Sequence, residues 1–106
     1  MARRKEDTAM PWIKVIQEWE AEGELKEAYE RMRQVNIDYN DEMLAGMPAN
    51  PGPHPATPPE LASLNPLSML YGRLFMMHVM RGESGVTSAE REMVATVTSL
   101  ASNCRY

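Results

Sequence analysis

Residues 65–82, NPLSMLYGRLFMMHVMRG, decide the fold class of this chain. Asn65 is a good N-cap, and Pro66 suits the first helical position, where its missing N–H costs nothing. Leu67, Leu70, Tyr71, Leu74, Phe75 and His78 follow at helical spacing, and Gly82 stands where the helix is predicted to stop. Met69, Met76, Met77, Val79 and Met80 widen the apolar surface well beyond one stripe. Such a helix is either central to a core or shared with another subunit. His78 on this face reads as a hydrogen-bonded core histidine.

C-terminal to this helix, Thr87-Ser88-Ala89-Glu90 is a capping box, the sharpest local signal in the chain. The helix it opens carries Ala89, Met93, Val97, Leu100 and Ala101 as its apolar stripe, with Val94 at the edge. A turn is predicted at Ser102-Asn103.

N-terminal to it, residues 48–59 hold six of the eight prolines together with Gly52, so neither a helix nor a central strand can persist there. The segment reads as a solvated, polyproline-like linker, with His54 alone in it. Before the linker, Leu25, Ala28, Tyr29 and Met32 lay an apolar stripe along a helix from about Gly23 to Val35. Glu24, Glu27, Glu30, Arg31 and Arg33 form its solvated face, with Glu27–Arg31 spaced for an i,i+4 pair. Trp12 to Ile16 reads as an extended arm in which Trp12 anchors against a helix, with Trp19 a second anchor. These readings add up to an all-α chain without internal repeats, organised as a single helical domain over residues 1–106.

Composition narrows the function classes. The 106 residues carry 11 Lys and Arg against 15 Asp and Glu, a net charge of -4. That balance argues against nucleic-acid binding, which needs clustered basic charge, and the one basic cluster, Arg3-Arg4-Lys5, reads as a frayed terminus. No run of 18 apolar residues is present, so no transmembrane helix is expected. No secretory h-region is recognisable near the N-terminus, and one cysteine, Cys104, cannot form an internal disulfide; both fit a cytoplasmic setting. Ten methionines, five of them between positions 69 and 93, point to an adaptable core or a subunit contact rather than to a methionine metal site. A homo-oligomer built through this Met-rich helix is the expected partner arrangement. No cofactor or metal motif is present: neither a Gly-rich phosphate loop, nor zinc-ligand spacing, nor a serine-triad motif.

What remains is Cys104 near a helix terminus, Glu92 twelve residues upstream, and Arg105 and Tyr106 behind it. On composition alone a single cysteine of this kind is inert. Ser63-Leu64-Asn65-Pro66, Ser88-Ala89-Glu90-Arg91-Glu92-Met93-Val94-Ala95 and Ser99 through Tyr106 resemble the alkylhydroperoxidase D-like family, which includes the carboxymuconolactone decarboxylases. Trp12 to Ile16 and Gly23 to Tyr29 are similar to the family's N-terminal segment, whereas the Pro-rich stretch has no counterpart. The resemblance covers about two-thirds of the chain and is most specific from Glu90 to Tyr106.

The resemblance implies an all-α alkylhydroperoxidase D-like domain that reduces hydroperoxides with a dithiol donor, through a Cys-x-x-Cys pair opening the next helix. A cysteine at a helix N-terminus is activated because the dipole stabilises its thiolate, and a neighbouring thiol traps the sulfenic acid it forms. In the family the second cysteine is the nucleophile and the first resolves it, while a glutamate and a following histidine relay protons. Carried over, Cys104 is the resolving cysteine, Glu92 the relay carboxylate, and Tyr106 the residue between the two cysteines. The sequence reads as truncated before the second cysteine and the histidine, so as written it would not complete the thiol cycle. Two other readings follow: a lactone-acid decarboxylase, against which Cys104 in register counts because such members lack the pair, and a non-catalytic helical module that self-associates. In an unbroken helix Glu92 and Cys104 would stand ~18 Å apart along the axis, so they would cooperate only through a turn, a relay or another subunit.

Overall fold

The computed structural model describes residues 12–48 and 52–104. The chain is mostly helical, with no strand among the described residues. Its helices are α1 (Gly23–Asp38), the single-turn α2 (Glu42–Ala45), α3 (Pro66–Arg81) and α4 (Ser88–Ala101), with 3₁₀ turns at Glu18–Glu20 and Pro58–Ala62. No helix among the described residues is long and apolar enough to cross a membrane.

α1 buries the stripe its spacing predicts: Leu25, Ala28, Tyr29 and Met32 are all buried. It runs one turn beyond the expected end at Val35. Asn40, in the left-handed region at φ 55, turns the chain off the helix, while its own N–H and that of Asp41 return to the carbonyls of Ile37 and Asn36. This closes the helix by a Schellman pattern, which satisfies carbonyls that would otherwise be orphaned. Asp41 then caps α2, its Oδ1 accepting from Leu44 N at 2.9 Å. The predicted Glu27–Arg31 pair does not form.

α3 begins as its sequence demands, with Asn65 Oδ1 accepting from Ser68 N at 3.2 Å and Pro66 in the first turn. It ends at Gly82 through close approach, not through a left-handed glycine: a Cβ there would lie 2.5 Å from the His78 carbonyl oxygen. The buried face of α3 differs from the expected one. Met69, Leu70 and Met77 are buried, whereas Leu67, Tyr71, Leu74 and Phe75 face outward. The core joins Ala21, the α1 stripe, Met69 and Leu70, with Ile16, Val35 and Ala62 packed at its margin. Each fully buried Leu or Met side chain contributes on the order of 2 kcal/mol.

α4 opens with the predicted capping box. Thr87 Oγ1 accepts from Glu90 N at 3.2 Å, and Glu90 Oε1 accepts from Thr87 N at 3.0 Å. Its stripe does not enter the core: none of its residues is buried, and Met93, Val94, Val97 and Leu100 are all exposed.

The N-terminal arm is extended, as expected, but Trp12 is fully exposed at 105 % and anchors nothing. Ile16 and Gln17 fasten the arm instead. Ile16 N donates to Ser63 Oγ at 2.8 Å, and the Tyr29 hydroxyl donates to the Ile16 carbonyl. Trp19 is half-exposed, and its indole N–H donates to Gln17 Oε1 at 3.0 Å. The proline-rich segment is less solvated than predicted. Pro58–Ala62 coils into a 3₁₀ turn that buries Glu60, because the prolines preset φ and Thr57 and Glu60 close a capping box. Residues 49–51 of that segment, and the Arg3-Arg4-Lys5 cluster, lie outside the described residues.

Candidate functional site

Cys104 follows the end of α4, where a second Schellman closure sets its position. Asn103 is left-handed at φ 53, with Asn103 N donating to Leu100 O at 3.1 Å and Cys104 N to Ser99 O at 2.9 Å. Asparagine tolerates this conformation better than most residues. The turn predicted at Ser102-Asn103 is therefore present, and it leaves the Cys104 thiol exposed and free. Arg105 and Tyr106 lie outside the described residues.

Glu92 occupies the first half of the same helix. About 14 Å of helix axis separates it from Ala101, so a single copy of α4 holds Glu92 and Cys104 at opposite ends. Instead, Glu92 is engaged with α3: Arg81 Nη1 donates to Glu92 Oε1 at 2.8 Å, and Arg81 Nε donates to Asp41 Oδ2 at 3.2 Å. Asp41 is buried at 6 % exposure, so the line Asp41–Arg81–Glu92 runs from the cap of α2 through the end of α3 to α4. The arginine is held above its ordinary proton affinity, first by the hydrogen bond to Glu92 and further by both carboxylates. Spacing along α4 does not disclose this link, because Arg81 and Asp41 come from other helices.

His78 is hydrogen-bonded as expected, yet it is not in the core. Its Nδ1 lies 3.0 Å from the Tyr39 hydroxyl, the two rings stand edge to face, and the hydrogen bond is exposed. His54, which reads as solitary in the sequence, pairs with Glu60 at 3.4 Å between Nε2 and Oε1.

A cavity of about 530 Å³ lies in the fork between α3 and α4, walled by Val79, Met80, Val86, Val94 and Ala95. Among the described residues no group of three or more His, Cys, Asp or Glu side chains is placed to hold a metal ion. The apolar residues left outside, on α3 and on α4, form two faces that no described residue covers. No protein-family model, no curated protein and no solved structure matches the chain.

Proposed function

We propose that this chain belongs to an alkylhydroperoxidase D-like thiol peroxidase, in which Cys104 is the resolving thiol and Glu92 the relay carboxylate. The observation that carries the reading is the position of Cys104: an exposed thiol directly after a closed helix end, where the next helix of the family pattern would open. In the family pattern the nucleophile is the second cysteine of a Cys-x-x-Cys pair, which these 106 residues do not contain. Its thiolate attacks the hydroperoxide, releases the alcohol and becomes a sulfenic acid; the Cys104 thiol displaces water to form the disulfide, and a dithiol donor reduces it.

The test is hydroperoxide consumption with a dithiol donor, using the natural polypeptide and its Cys104→Ser and Glu92→Gln variants. Cys104→Ser is expected to stop turnover after a single burst, and Glu92→Gln to slow it by about 10²-fold or more, the usual range for loss of a proton-transfer group. Folded natural protein that consumes no peroxide contradicts the reading.

A second reading, a self-associating helical module, is favoured by the outward-facing Leu67, Tyr71, Leu74 and Phe75 of α3. Light scattering after size exclusion tests it. Leu74→Glu is expected to dissociate the oligomer, and a stable wild-type monomer would exclude it.

A further inference from the structure

The cavity of about 530 Å³ in the fork between α3 and α4 has the size of a small-molecule site, and its walls are apolar. Val79 and Met80 stand on α3, Val94 and Ala95 on α4, and Val86 comes from the connecting loop. Val79 is 52 % exposed and Val94 65 %, so both prongs present apolar surface that a molecule in the fork would take out of water. Cys104 lies beyond the other end of α4, so the fork stands apart from the thiol reading.

Two charged side chains, Glu83 and Arg91, line the same cavity, and neither forms an ion pair among the described residues. The acids that flank Arg91 are engaged elsewhere: Glu90 accepts from Thr87 N, and Glu92 accepts from Arg81. Arg91 also stands close to the N-terminus of α4, the end of a helix that favours an acid over a base. Its guanidinium is held at the cavity all the same. Nε donates to the Val86 carbonyl at 3.1 Å, which leaves the two terminal nitrogens for other acceptors. Ser84 adds a hydroxyl whose Oγ accepts from Val86 N at 3.1 Å, so its own proton remains to be donated.

The two charges decide what fits. An anion is drawn to Arg91 but opposed by Glu83, and a cation meets the reverse. A molecule with a carboxylate and an ammonium beside an apolar body answers both charges and covers the walls. We propose that the fork between α3 and α4 binds a free α-amino acid with a large apolar side chain. Its carboxylate meets Arg91 and Ser84, its ammonium meets Glu83, and its side chain lies between Val79 and Val94.

The test is a methyl and amide NMR titration of the chain with L-phenylalanine as the probe. Two analogues run beside it: 3-phenylpropionate, which lacks the ammonium, and phenethylamine, which lacks the carboxylate. Phenylalanine is expected to shift the Val79, Val86 and Val94 methyls saturably, with Kd on the order of 1 mM or tighter. Each analogue is expected to bind at least about threefold more weakly, the least that one charge-assisted contact contributes at a half-open site. Arg91→Gln and Glu83→Gln each remove one charge and leave the apolar walls intact, and each is expected to weaken phenylalanine by a similar factor. No saturable shift up to about 10 mM overturns the proposal. So does an analogue that binds as tightly as phenylalanine, which would make the fork an apolar cavity only, and so does unchanged affinity in either folded variant.

Discussion

Arg81 donates to Glu92 Oε1 at 2.8 Å and to Asp41 Oδ2 at 3.2 Å, so one guanidinium ties the end of α3 to both neighbouring helices. The two halves of this link are unequal. Glu92 is half-exposed, and an ion pair of that kind contributes little against water and side-chain entropy. Asp41 is buried and also caps α2.

Asp41→Ala is accordingly expected to lose about 1–2 kcal/mol, the range for a lost cap, with Arg81 left short of a partner in addition. Glu92→Gln should cost less than about 1 kcal/mol. Urea unfolding of the two variants checks the order, and equal losses would place the weight of the link on Glu92.

The two faces of α3 predict a sharp contrast. Leu70 is 2 % exposed and Phe75 72 % exposed. Leu70→Ala should cost about 2–5 kcal/mol, while Phe75→Ala should stay within about 0.5 kcal/mol. Thermal unfolding at low protein concentration reads both. A large loss for Phe75→Ala would mean that this face is covered in solution.

Acid should loosen the start of α4. The Glu90 carboxyl sits below the usual range because the Thr87 N–H, and then its hydroxyl, donate to it. A carboxyl depressed in the folded state adds stability above its unfolded value, about 4.3, and loses it as pH falls through the folded one. Amide protection in the first turn of α4 should therefore decline below about pH 4. Thr87→Ala should weaken the same turn by about 1 kcal/mol at neutral pH.

Alkali should act through Tyr29. Its phenol, raised chiefly by burial, keeps its proton in the folded chain at pH values where the unfolded chain has lost it. The folded state then binds more protons, so stability must fall as pH rises above about 10. Tyr29→Phe should remove that alkaline slope, and it should cost about 1–2 kcal/mol at neutral pH by leaving the Ile16 carbonyl without its donor. Denaturant titrations at neutral and alkaline pH separate the two effects.

What could be read from the sequence was local. Asn65, Pro66 and the Thr87–Glu90 box start their helices because a cap needs only residues three apart. The α1 stripe was legible because charges crowd its other side, leaving one face to bury. α3 offered no such contrast: with apolar residues all round, spacing could not choose between the Leu70 and the Phe75 face. α4 shows the limit of amphipathic reasoning, since its stripe is real but no described residue covers it. Asn40 carried a signal for the true end of α1 that periodicity missed, because a left-handed asparagine stops a helix irrespective of the stripe. The Arg81–Glu92 contact depends on how two helices meet, so no local spacing discloses it. Cys104 and Glu92 could be named from the sequence together with their separation along one helix, but not the engagement of Glu92 by Arg81.

The most direct measurement is disulfide mapping by mass spectrometry on the natural polypeptide, before and after a hydroperoxide pulse. The account predicts that Cys104 enters a disulfide with a second thiol, with loss of two hydrogens, and that a dithiol reverses it. Cys104 remaining a free thiol, or accumulating only irreversible oxygen adducts without a disulfide, would contradict it.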